Sequence, residues 1–118
     1  MLSGPSGAAV YLARGTTDLR KSIDGLAAIV SLTFDLNVFD RSLFVFCNRR
    51  RDKLKILFWE HNGFWLYYRR LERGTFLWPV PSDSPTLQIG HRQLQWLLDG
   101  LSLEQVQAHT PVNLSIAA

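Results

Sequence analysis

Five basic residues, Arg49, Arg50, Arg51, Lys53 and Lys55, fall within seven consecutive positions, and Arg69, Arg70 and Arg73 follow closely. Cations at this density create a local positive field, and arginine forks match phosphate oxygens in geometry. The clustering is sharper than the overall charge. The 118-residue chain has a formal net charge of only +3, yet eight of its 13 Lys and Arg lie between positions 49 and 73. Charge alone separates a nucleic-acid footprint from a solvated, charged hairpin no better than evenly.

Other chemistry finds less support. Phosphate-cradling loops need closely spaced glycines between a strand and a helix, and neither G-x-x-x-x-G-K-[S/T] nor G-x-G-x-x-G occurs. A structural zinc site needs about four Cys or His ligands. The chain has one cysteine, Cys47, and three scattered histidines, His61, His91 and His109. Cys47 sits among bulky apolar residues and reads as a buried small hydrophobe rather than a nucleophile. Two-metal strand cleavage needs converging carboxylates, whereas the ten acidic residues are dispersed, with Asp18 and Asp24 on opposite sides of any helix holding both. The expectation is a protein without catalytic, metal, cofactor or small-molecule sites.

The elements that must position the basic cluster follow from local patterning. Ala8–Ala13 reads as a strand ended by Gly15. Thr16 or Thr17 can cap a helix, with Asp18 in its first turn and Leu19, Ile23, Leu26, Ala27 and Val30 at helical spacing to about Leu32. Its polar edge carries Arg20, Lys21 and Asp24, either as a functional edge or with Arg20 and Asp24 paired at i, i+4. Gly25 costs about 1 kcal/mol relative to alanine inside a helix, which a close backbone approach would explain.

Leu43–Cys47 is a strongly apolar strand, followed by an arginine-rich turn over 48–52 and a strand over Lys53–Trp59. Asn62-Gly63 signals a hairpin into a strand over Phe64–Leu71. Thr75–Trp78 reads as one more short strand and the proline-rich segment Pro79–Pro85 as a loop. Leu94, Leu97, Leu98 and Leu101 mark a closing amphipathic helix, with Gly100 as a stop. The order strand, helix, three or four strands, helix implies an α+β fold. A mostly antiparallel sheet of four to five strands then carries two helices, expected on one face. The expected organisation is a single domain over 1–118, with an ordered core at 8–102 and a loose tail at 103–118.

With Asn62 and Gly63 as the loop residues, Trp59 pairs with Leu66, Leu57 with Tyr68, Lys55 with Arg70 and Lys53 with Glu72 on one hairpin face. The other face pairs Phe58 with Tyr67, Ile56 with Arg69 and Leu54 with Leu71, and is the one expected on the core. Lys55 opposite Arg70 is a like-charge conflict that a phosphate or Glu72 would relieve. The DNA-binding candidates are therefore Arg49, Arg50, Arg51, Lys53, Lys55 and Arg70. Trp59 and Tyr68 are available to stack on bases of a single strand, or to serve as core or interface aromatics.

No 18-residue apolar run exists and the start has no signal-peptide pattern, so a cytoplasmic location without membrane association is expected.

Several ordered motifs then point one way. Asp18-Leu19-Arg20-Lys21-Ser22-Ile23-Asp24-Gly25-Leu26 resembles the D-[ML]-R-K-x-x-D-G-L signature of the TnpB accessory proteins of IS66-type insertion sequences. Leu43–Phe46 with Asn48-Arg49 is similar to that family's F-V-F-x-[GN]-R, and Asp52, Lys55 and Leu57 to its D-x-x-K-x-L. Trp59, Gly63, Tyr68, Arg70-Leu71-Glu72, Gly74-Thr75-Phe76 and Trp78-Pro79 follow its hairpin block. Gln93-Leu94 and Leu97-Leu98-Asp99-Gly100 resemble its closing Q-L-x-x-L-L-x-G. The likeness spans roughly residues 8–102. It departs at Gly90, where the family often has Thr or Ser, and in the unusually basic run Arg49-Arg50-Arg51. The resemblance implies a non-catalytic accessory protein of transposition, encoded beside a larger transposase, with that transposase and DNA of the element ends as partners. It carries no active site across. The RNA-guided nucleases that share the name TnpB are a different group, whose length and split carboxylate site do not fit here.

Overall fold

The structure is a computed structural model that describes residues 8–100. Its elements run β1 (Ala9–Ala13), α1 (Ile23–Ala28), a π-helical turn (Ile29–Thr33), β2 (Ser42–Cys47), β3 (Lys53–Glu60), β4 (Gly63–Arg70), β5 (Thr86–Ile89) and α2 (His91–Leu98). The strands form one sheet in the order β4-β3-β2-β1-β5. All neighbours are antiparallel except β1 and β2, which are parallel and joined across α1. That is the α+β fold expected from sequence. Leu101 and the tail at 103–118 lie outside the described residues.

The two helices lie on opposite faces, not on one. Leu94, Leu97 and Leu98 of α2 pack with Val10, Leu12, Leu43, Val45, Leu54, Ile56 and Phe58. Leu26 of α1 and Val30 of the π-helical turn pack with Phe44, Phe46 and Leu57 across the sheet. The reason lies in β2, whose six residues are all buried. A strand apolar on both sides must be covered on both sides. For the same reason both faces of β3 contribute to the core, Leu57 on one and Leu54, Ile56 and Phe58 on the other.

The first helix starts at Ile23, five residues after the expected Asp18. Asp18 Oδ1 accepts the backbone N–H of Arg20 at 3.0 Å, a local bond that competes with helix initiation. The carbonyls of Leu19 and Lys21 point instead at the Lys55 ammonium, at 2.7 and 3.0 Å. The far end agrees with expectation, the helical path running to Thr33. Gly25 does not answer to another backbone. A Cβ there would lie 3.0 Å from Cβ of Lys21 on the preceding turn.

Thr75–Trp78 joins no ladder, and the fifth strand forms beyond the proline loop instead. Phe76 and Trp78 are nevertheless buried on either side of exposed Leu77, and Trp78 Nε1 donates to the carbonyl of Ala13 at 2.8 Å. The segment therefore alternates like a strand but is fastened by side chains. At α2, Gln93 Oε1 accepts the backbone N–H of the cap residue Gly90 at 3.0 Å, so glycine serves where a hydroxyl residue was the family habit. Gly100, at φ +80°, closes the helix as expected.

The hairpin register differs from expectation by one turn residue. His61 and Asn62 are the loop residues, at φ +51° and +72°, the paired left-handed conformations of a type I′ turn. Trp59 therefore faces Phe64, Leu57 faces Leu66, Lys55 faces Tyr68 and Lys53 faces Arg70. Moving the turn back by one residue slides each partner by two positions. Side chains alternate with period two, so both faces keep their expected membership. The selected register brings the Trp59 and Phe64 rings to 4.9 Å in an edge-to-face contact. Phe39 then packs on both, at 4.9 and 5.9 Å. Aromatic cross-strand packing of this kind outweighs the nominal Asn-Gly turn signal.

Candidate nucleic-acid interface

The connection between β2 and β3 is a turn built by side chains. Asn48 Oδ1 accepts the backbone N–H of Asp52 at 3.1 Å and of Lys53 at 3.0 Å, and Asn48 Nδ2 donates to Asp52 Oδ1 at 2.8 Å. Arg51 adopts φ +60°, a left-handed value uncommon for a residue with a Cβ, and is held there on both sides. Its N–H donates to the carbonyl of Asn48 at 3.1 Å and its carbonyl accepts from the N–H of Phe76 at 2.7 Å. Arg49 and Arg50 at the crest are exposed. The Asn48 hydrogen bond holds the Asp52 carboxyl below its ordinary range, with Lys53 and Arg50 adding to the effect.

The segment Thr16–Arg20 lies against this turn, tied by the Thr17 N–H to the carbonyl of Cys47 at 2.8 Å. Within it, the Arg20 guanidinium grips Asp18, with Nη2 2.7 Å from Oδ2 and Nε 3.0 Å from Oδ1. These bonds hold the Asp18 carboxyl well below the usual carboxylate range. The i, i+4 pairing of Arg20 with Asp24 does not form, because Asp18 holds the guanidinium instead. Lys55 reaches across from β3 to the carbonyls of Leu19 and Lys21 and so staples the segment to the sheet, using two of its three N–H donors.

Between these walls lies an open groove of about 750 Å³. Arg20, Arg49, Arg50, Lys53 and Lys55 line it together with Tyr68, and among the described residues Asp18 is its only carboxylate. Among the described residues, Arg49, Arg50 and Lys53 make no side-chain hydrogen bond or ion pair at contact distance. Their charge is offset by neighbours only at longer range. The groove thus joins the basic turn to one residue of the helix motif, Arg20, which sequence spacing leaves far apart.

Other candidates fall outside it. Lys21 and Asp24 are exposed but do not border the groove. Arg51 turns its backbone toward Phe76, and Arg70, on the same face of β4 as Tyr68, does not border the groove and is paired with Glu72 at 2.8 Å. That ion pair relieves the like-charge opposition, which falls on Lys53 and Arg70 rather than on Lys55 and Arg70. Trp59 is at the opposite end of the hairpin, half-buried against Phe39 and Phe64. Sequence reasoning assigned no role to Asn48 and Asp52 beyond a motif match. Their spacing of four, with a short amide facing a carboxylate, was the available signal for a turn stapled by side chains.

The chain is thus a small α+β fold with an open, predominantly basic groove, and no three His, Cys, Asp or Glu side chains are gathered to hold a metal ion among the described residues. The model of the IS66 Orf2-like protein family matches residues 8–108, and the chain belongs to that family of insertion-sequence accessory proteins. It is similar to the uncharacterized protein y4hO of Sinorhizobium fredii strain NGR234, with 35% identity covering 91% of this chain and 92% of the relative. A second protein of that strain, the uncharacterized y4jC, is 30% identical over 88% of this chain and 89% of its own length. No solved structure matches the chain. No helix among the described residues is long and apolar enough to cross a membrane.

Proposed function

We propose that the protein is a non-catalytic accessory factor that holds DNA of its element's ends in the basic groove while the separate transposase carries out the chemistry in the cytoplasm. The observation that carries this reading is the convergence of five cations from two distant segments on one open groove, three of them without contact partners. Such cations are satisfied by phosphates, and in binding them they displace the counterions condensed on the DNA. Arg49, Arg50 and Lys53 make the phosphate contacts. Arg20 is held in place by Asp18, and Lys55 supports the wall.

Fluorescence anisotropy with duplexes from the element's ends and scrambled duplexes, at several salt concentrations, tests it. A steep fall of affinity with salt and a preference for the ends are expected. Absence of binding at low salt would remove the reading.

A second reading has its own observation. Trp65 is 53% exposed on the edge strand β4, on the face opposite Tyr68. Its ring stacks on Tyr67 at 6.2 Å. Exposed aromatics flanked by arginine are the anchors that protein interfaces favour. On this reading the chain docks on the transposase without touching DNA. Co-purification with the transposase that Trp65→Ala abolishes, together with no DNA binding, would establish it.

A further inference from the structure

Among the described residues, Tyr68 is the one aromatic side chain bordering the basic groove. It is 54% exposed, and the register places it on β4 directly opposite Lys55 and two pairs from Lys53, on the same face. The other exposed or half-exposed rings of the hairpin are engaged: Trp59 and Phe64 with Phe39, and Trp65 with Tyr67. Among the described residues the Tyr68 ring stacks on no other ring, although it lies in a hairpin otherwise rich in such contacts.

We propose that Tyr68 is a stacking platform for an unpaired base, so that the groove takes a single-stranded stretch of DNA in preference to a fully paired one. This rests on the DNA reading above and adds the form of DNA. A base inside a duplex shows only its edge to a protein, and its face becomes available only when the strand is unpaired. The groove brings Arg20 from one segment and Arg49, Arg50 and Lys53 from another to the same open space as the Tyr68 ring. A single strand can lie in that space with its phosphates on the cations and one base on the ring. Cations that track a backbone beside an exposed ring are the two parts of known single-strand sites. Trp59, the other candidate for stacking, is excluded from the role by its place at the hairpin tip, away from the cations.

The test compares the full chain with its Tyr68→Ala, Tyr68→Phe and Arg50→Ala variants. Each is titrated by anisotropy against a labelled single strand and the corresponding duplex of the same sequence. Circular dichroism confirms that each variant is folded. The wild type is expected to bind the single strand more tightly. Tyr68→Ala weakens single-strand binding by roughly 5- to 150-fold, the range for loss of one base–aromatic stack, and leaves the duplex unchanged. Tyr68→Phe retains the affinity, and Arg50→Ala weakens both forms. If both forms bind but Tyr68→Ala changes neither, or changes both equally, the stacking site is refuted while the DNA reading survives. If neither form binds, both are refuted.

Discussion

The two ends of the β3–β4 hairpin are built from the same kinds of residue to opposite effect. At the tip, Trp59, Phe64 and Phe39 meet one another ring to ring, at 4.9 to 5.9 Å, and the contact sets the register of both strands. At the base, among the described residues, Tyr68 meets no ring, and Arg49, Arg50 and Lys53 meet no carboxylate at contact distance. Folding satisfies the side chains of the tip internally. Those of the base are held in place by turns that consume backbone and Asn48 hydrogen bonds while leaving the cations exposed. An end whose groups are satisfied contributes stability, and an end whose groups are positioned but unsatisfied is suited to binding.

Variants at the two ends should therefore separate stability from DNA binding. The largest stability effect is expected at the tip. Trp59→Ala removes two ring contacts and should cost about 2 kcal/mol in chemical denaturation, less than a fully buried tryptophan because the ring is half-exposed. DNA affinity of the folded fraction should be unchanged, and a fall in affinity equal to that of a groove variant would erase the distinction between the ends. Asn48→Ala should cost about 1 to 2 kcal/mol, since it leaves the Asp52 and Lys53 N–H groups without their acceptor. It should also lower DNA affinity, because Arg49 and Arg50 ride on that turn. Retained affinity would show that their placement does not matter.

Lys55→Met removes two bonds to the carbonyls of Leu19 and Lys21 and should cost about 1 kcal/mol. It should loosen Arg20 along with the segment. Proton exchange at the amides of 18–22, followed by NMR, reads this directly, and unchanged protection would mean that Lys55 is not the staple. The effect that is absent at neutral pH belongs to the buried core. Burial pushes the Cys47 thiol up to about 12 from an ordinary 9.0. The folded state thus holds this proton more tightly than the unfolded chain does. The resulting stability is complete below pH 9 and declines as pH rises toward 12. Cys47→Ala should flatten that part of the stability–pH curve relative to the wild type, and superimposable slopes would contradict the assignment.

Much of the fold was legible because hydrophobic patterning is local. The apolar run at 43–47, the alternation at 53–59 and the leucines at 94, 97 and 98 mark three elements that the structure contains. What sequence missed depends on partners far along the chain. The start of α1 was misplaced because Lys55, from another strand, claims carbonyls that a helix would have used. The fifth strand was misplaced because Phe76 and Trp78 alternate in burial as a strand does, yet find no ladder partner. The second helix face depends on β2 lying at the centre of the sheet with both its sides buried, and that position is set by strand pairing rather than by local pattern. At the candidate site, the basic turn was visible as composition, but its union with Arg20 and Tyr68 required the fold. The hairpin shows why an error of one turn residue left the face assignments intact: the partners moved by two, and the pleat repeats every two.

The most direct measurement of the central claim is the dependence of DNA affinity on salt for the wild type and for the triple variant Arg49→Ala, Arg50→Ala, Lys53→Ala. Each phosphate contact contributes about 0.9 to the slope of log affinity against log salt on duplex DNA. Loss of three contacts should make the slope shallower by about 2.7, three times that value, with thermal stability little changed. Equal slopes for the two proteins would contradict the claim that these groove cations are what holds DNA.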